Sequence, residues 1–224
     1  MGKTYRSLQL WNQWLMQSKG QNILQLERNT LKSFSEGLTR GKHGVLIGVP
    51  EQQKLLTDCR LMHPVLVTPL KHSVPEMCLV ESDPAELPIA SGSADLVLLP
   101  HTLEYTSRPH HLLAEACRIV RPEGHIVVQG FNPFGLWGLK KLFLRGAAVP
   151  LKATFLSPQK IKKWLNLSDF VLVRQAFFQP FGSIYTLVAE ARVTPCTPIR
   201  LRWKQKLPAF RVTLAGPSIR NQVY

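Results

Sequence analysis

ESDPAELPIASGSADLVLLPHTLEYTSRPHHLLAEACRIVRPEGHIVVQ, residues 81–129, switches between strand and helix periodicity in an order that fixes the architecture. Leu79-Val80-Glu81 is a short apolar run ending in an acidic turn, Ser82-Asp83-Pro84. Ala94 to Leu99 is almost continuously apolar, as in a strand buried on both faces of a parallel sheet. Leu112, Leu113, Ala116, Ile119 and Val120 then recur at helical spacing. Pro122 and Gly124 stop that helix and lead into Ile126-Val127-Val128. Strand, helix and parallel strand form a right-handed crossover, and ligands of such sheets gather at the carboxyl ends of the strands.

Taken together, Asp83, Leu87-Pro88, Ser91-Gly92-Ser93, Asp95, Leu103-Glu104, Arg118-Ile119-Val120 and Pro122-Glu123-Gly124 resemble the class I S-adenosylmethionine-dependent methyltransferases, specifically their type 11 branch. Gly130-Phe131-Asn132-Pro133-Phe134-Gly135 is most similar to a small, divergent bacterial subgroup. The resemblance implies an α/β fold: a Rossmann-like, mostly parallel sheet closed by an antiparallel C-terminal edge hairpin, with helices on both faces.

The flanking sequence fits that plan. Leu8 to Lys19 and Gln21 to Leu38 read as two helices separated by Gly20, which the resemblance lays across a cofactor cleft as a segment 1–40. Gly44 to Val49 reads as the first, central strand, and Val65 to Thr68, bounded by Pro64 and Pro69, as the second. Ser157-Pro158-Gln159 starts a helix, with Ser as N-cap and Pro in the first turn. Phe170 to Phe177 and Ile184 to Ala191 read as the edge hairpin, closing a domain over 41–191. From Arg192 to Tyr224 the chain has seven basic residues, no acid and no periodicity, and reads as an extended basic tail.

Methyl transfer from a sulfonium is an in-line displacement whose donor brings its own charge and leaving group. Binding, alignment and exclusion of water therefore suffice, and no catalytic dyad or metal cluster is needed. No Cys/His metal spacing occurs, so no metal is expected. The resemblance implies S-adenosylmethionine as cofactor, bound by Gly48, Asp83, Pro84, Leu99, Pro100 and His101, with His101 and Asn132 bordering the acceptor. The chain departs from the family at three points. Pro50 and Gln52 stand where further glycines would free the backbone, Leu46 replaces an acid within the first strand, and Thr68 ends the second strand without a ribose-binding carboxylate. Asp83 also suits a cap on its own turn before Pro84, His101 a helix start, and Asn132-Pro133 a simple turn. Two readings follow: a methyltransferase of unknown acceptor, or a catalytically inactive binding or regulatory protein on the same fold.

Charge is the second signal. Residues 1–123 carry 13 Lys and Arg against 12 Asp and Glu, whereas residues 124–224 carry 15 against 2. Such asymmetry predicts contact through the C-terminal half with RNA or an anionic membrane surface. Within it, GFNPFGLWGLKKLFL (residues 130–144) reads as an amphipathic basic-aromatic helix, suited to a lid, a membrane contact or packing on the sheet. With no apolar run of spanning length and four scattered cysteines, a cytoplasmic location is expected. The sequence does not determine an oligomeric state.

Overall fold

The computed structural model describes residues 2–34, 40–57, 59–71, 77–143, 149–178 and 182–192. Residues 1–193 form one compact unit; the basic tail beyond Arg192 lies outside the described residues. Chain order is α1 (Gly2–Leu15), α2 (Ser18–Ser33), β1 (Arg40–Ile47), a 3-10 helix (Pro50–Leu55), β2 (Arg60–Thr68), β3 (Cys78–Glu81) and β4 (Ala94–Pro100). There follow α3 (Thr102–Tyr105), α4 (Pro109–Ile119), β5 (Val120–Phe131), α5 (Leu136–Phe143), α6 (Val149–Lys152), α7 (Pro158–Leu167), β6 (Phe170–Phe178) and β7 (Ile184–Ala191).

The seven strands form one sheet in the order β3-β2-β1-β4-β5-β7-β6. Pairing is parallel from β3 through β5, and β7 and β6 join antiparallel. This is the Rossmann-like, mostly parallel sheet with the C-terminal edge hairpin that the sequence predicts. Alternation along the strands divides the core between two faces. Val45, Ile47, Val97, Leu99, Ile126 and Val128 pack with Leu112, Leu113 and Ala116 of α4 and Ile161 and Leu165 of α7. Leu46, Leu66, Leu96, Leu98 and Val127 pack with Leu8, Trp11 and Leu15 of α1 and Ile23, Leu24 and Leu31 of α2.

Three local expectations need correction. The first two helices part at Met16-Gln17, and Gly20 lies inside α2. A Cβ on Gly20 would fall 2.4 Å from the Trp14 carbonyl oxygen, so glycine there permits close contact between the helices rather than ending one. Second, β2 begins at Arg60, and Pro64 sits within it opposite Gly44. Since β3 pairs only from Val65 onward, Pro64 is on an unpaired edge where its missing N–H costs no ladder bond. Third, β5 begins at Val120 and passes through a register shift at Pro122-Glu123, where Glu123 takes φ 63°. At the amino ends of the strands, Asp95 accepts from the backbone N–H of Lys42 (2.9 Å) and His43 (2.8 Å) and from Arg121 Nε (2.7 Å), fastening β4 to β1. No helix among the described residues is long and apolar enough to cross a membrane.

Candidate functional site at the carboxyl edge of the sheet

Each parallel strand ends on the same edge, and the turns that leave it set the chemistry. The turn after β1 is closed by the chain itself. Gln52 is fully buried; its Oε1 accepts from Val49 N (3.0 Å), and its Nε2 donates to the Pro100 carbonyl (2.8 Å). A Cβ on Gly48 would lie 2.4 Å from that Oε1, so the Gln52 side chain fills the space beside Gly48. Thr102 Oγ1 donates to the Ile47 carbonyl, and Glu51 N donates to Asn12 Oδ1 (3.0 Å), which pins α1 over the turn.

At the ends of β2 and β3 the edge opens. A cavity of about 340 Å³ is lined by Thr4 and Tyr5 of α1, Pro69, Glu81, Ser82, Asp83 and Pro84. Asp83 Oδ1 accepts from Ala85 N (2.9 Å), capping its own turn at the wall of the cavity. Thr68 is fully buried, and its hydroxyl accepts from Leu70 N (3.2 Å), so it braces the β2 turn rather than facing ligand. A second cavity, about 190 Å³, lies past the end of β4 and is lined by Thr4, Ser7, Glu104, Tyr105, Thr106, Ser107, Lys152 and Thr154. Tyr105 in its wall has a buried hydroxyl without a hydrogen-bond partner among the described residues. Thr4 belongs to both cavities.

Between them stands a buried charged triad. His101 leaves β4 in the left-handed region, φ 58°, with none of its surface exposed. Its Nδ1 donates to Glu104 (2.9 Å) and its Nε2 to Glu27 of α2 (2.5 Å). Burial alone would lower its pKa, but the two carboxylates raise it to about 10, so the ring is an imidazolium with both N–H groups donating. Burial raises the Glu104 carboxyl above its ordinary value, against the His101 cation and a 2.6 Å bond from Phe131 N. Trp11 (5.2 Å) and Phe131 (4.2 Å) flank the imidazolium.

The residues expected at the site thus divide. Gly48, Pro100 and His101 share one closed neighbourhood, joined by Gln52 and Thr102, and Leu99 lies fully buried beneath them. Asp83 and Pro84 line the 340 Å³ cavity, which none of those residues lines. His101 is sealed beneath Trp11 with both nitrogens bonded, and lines neither cavity. Asn132 is occupied by its turn: Oδ1 accepts from Phe134 N (3.1 Å) and Nδ2 donates to the Gly182 carbonyl (3.0 Å). Sequence reading missed Glu27 and Tyr105 and gave Glu104 no role in the site, whereas it had marked Gln52 as a departure at the turn that Gln52 fills. A signal for Glu27 existed: it lies three residues after Leu24 and four before Leu31, a carboxylate within the apolar stripe of α2.

Residues 55–128 match a family model described as a methyltransferase domain. Over 151 residues the chain is 30% identical to the uncharacterized protein YafS of Escherichia coli K12, an overlap of 59% of this chain and 62% of that relative's length. Among solved structures it is similar to the N-methyltransferase NodS from Bradyrhizobium japonicum WM9, determined with S-adenosyl-L-homocysteine (TM-score 0.63, 12% identity, 84% of this chain and 98% of that one). A SAM-dependent methyltransferase from Archaeoglobus fulgidus is also similar (TM-score 0.61, 18% identity, 75% and 94%).

Proposed function

We propose that this chain is a class I, S-adenosylmethionine-dependent methyltransferase acting on a small polar acceptor, a reading supported by its fold and by the match over residues 55–128. The observation that carries the reading is the pair of cavities meeting at Thr4 on the carboxyl edge of the sheet, the larger beside Asp83 and the smaller beside Tyr105. The larger has the size of a small-molecule site, and its mixture of Pro69, Pro84 and Tyr5 with Asp83 and Ser82 suits a planar base bearing an amino group. The adenosine end of the cofactor therefore fits. To admit its amino-acid end as well, the Gln52 side chain would have to leave Val49 N and the Pro100 carbonyl and reopen the turn at Gly48.

The bound cofactor would supply a methyl group on a sulfonium, already activated for displacement. The chain's own residues bind and orient. Thr4 and Tyr5 cover the larger cavity from α1, and Asp83 holds its polar end. Ser7, Thr106 and Ser107, which line the smaller cavity with Tyr105, would offer the acceptor hydrogen bonds there. The Glu27–His101–Glu104 cluster takes no part in proton transfer in this scheme: it locks α2 to the strand edge. Calorimetric titration with S-adenosyl-L-homocysteine tests the proposal; measurable heat is expected, and none at millimolar ligand would end it.

A second reading is favoured by Gln52 alone. If the buried amide stays in place, the protein is a binding or regulatory module without transferase activity. Binding of adenosine without binding of the full cofactor is its signature.

A further inference from the structure

We propose that α5 and the turn before it form a docking surface for an anionic phospholipid bilayer. Phe134 is 83% exposed, the most exposed large apolar side chain among the described residues, and Leu139 of α5 is 54% exposed. Phe134 stands on a backbone held in place on both sides. Asn132 N donates to the Ser183 carbonyl (2.8 Å), Gly135 N to the Asn132 carbonyl (3.0 Å), and Leu136 N to Ser183 Oγ (3.0 Å). A Cβ on Gly135 would lie 2.5 Å from Ser183 Cα, so this turn is seated directly on the start of β7. The aromatic ring is thus presented to solvent by a fixed turn. That arrangement brings the free protein no packing return and pre-organises insertion.

The helix behind it divides its side chains sharply. Trp137 turns inward, 5.8 Å from Phe131 and 6.4 Å from Trp14. Lys141 also turns inward, donating to the Ala153 carbonyl with its ammonium 4.6 Å above the Phe155 ring. Leu139 and Lys140 remain outside, and Lys140 Nζ rests 5.2 Å over the Trp137 ring, a cation held beside the apolar tip. Apolar tip, adjacent fixed cation and an aromatic at the boundary are the components of an interfacial anchor.

Charge selects the partner. From Gly124 through Phe143, which takes in the turn and α5, the sequence has Lys140 and Lys141 and no Asp or Glu. An apolar tip with an unopposed cation beside it complements an anionic bilayer, whose phosphates attract Lys140 while its acyl boundary accepts Phe134 and Leu139. RNA would satisfy the cations but leave a use for Leu139 unexplained. The anchor follows β5 on the edge where the two cavities open, so a docked membrane would adjoin that edge.

The test uses the full chain with vesicles of phosphatidylcholine alone or mixed with phosphatidylglycerol. Cosedimentation is expected only with the anionic mixture. The double variant Phe134→Ser/Leu139→Ser should bind at least about fivefold less at an unchanged melting temperature, since both side chains are exposed. A second variant, Phe134→Trp, should show a blue-shifted emission increment over wild type on anionic vesicles. Full binding by the double variant would assign attachment to the basic tail and overturn the proposal. So would an unshifted Phe134→Trp emission, or equal loss of poly-uridine binding in the double variant.

Discussion

Replacing Glu27 by Gln probes the buried triad through the pH dependence of stability. His101 titrates near 10 when folded and near 6.5 when unfolded. A raised histidine stabilises the fold fully below its unfolded value, and that contribution is lost as pH rises toward the folded value. At about 1.4 kcal/mol per pH unit, the interval corresponds to about 5 kcal/mol at most. Glu27 is the strongest of the influences that raise the pKa and keeps a 2.5 Å contact with Nε2. Glutamine keeps a hydrogen-bonding oxygen in that place but removes the charge. The stability lost between about pH 6.5 and about pH 9.5 should therefore shrink by about 2 kcal/mol, roughly half the full interval. Near neutral pH the variant should lose less than the roughly 3–5 kcal/mol typical of an orphaned buried charge, because Glu104 still faces the ring. Urea unfolding across that range gives both free energies. Parallel pH curves for wild type and variant would refute the assignment of His101 as a buried imidazolium.

Gln52→Gly should reopen the turn at Gly48 and raise affinity for S-adenosyl-L-homocysteine about tenfold, while lowering stability through two lost buried hydrogen bonds of about 1 kcal/mol each; unchanged affinity by calorimetry would show that the turn is not part of the ligand site. Asp83→Asn keeps an oxygen for Ala85 N but loses the charge, so cofactor affinity should fall about tenfold with the melting temperature held. Gly138→Ala places a Cβ 1.8 Å from the Pro133 carbonyl oxygen, and chemical denaturation should show a loss of about 3 kcal/mol or more as α5 is forced off its turn.

The succession of strands and helices was legible because it rests on local pattern: the apolar run of β4 and the stripe of α4 each carry their own signal in a few residues. The closed turn was legible only as an absence, glycine replaced by Gln52. That the glutamine would bridge Val49 and Pro100 depends on two strands that lie 48 residues apart where the bond forms. His101 shows the same limit. Its position at the end of β4 follows from the sequence, but its burial depends on Trp11 and Glu27 folding back across the edge. Asn132 and Asp83 behave as their short-range chemistry dictates, each bonding backbone N–H groups two residues ahead.

The contact between Glu27 and His101 spans 74 residues, and this orders the assembly of the protein in time. On the ribosome α1 and α2 emerge well before β4 and β5 exist, so Trp11 must wait for Tyr105 and Phe131 before its ring is covered. Two helices of 14 and 16 residues gain little stability alone in water, and their apolar stripes stay wet through most of translation. The same long separation makes docking of the helical pair a slow, non-local step. A chain interrupted before residue 131 therefore carries an unfinished hydrophobic face and is a natural client for chaperones.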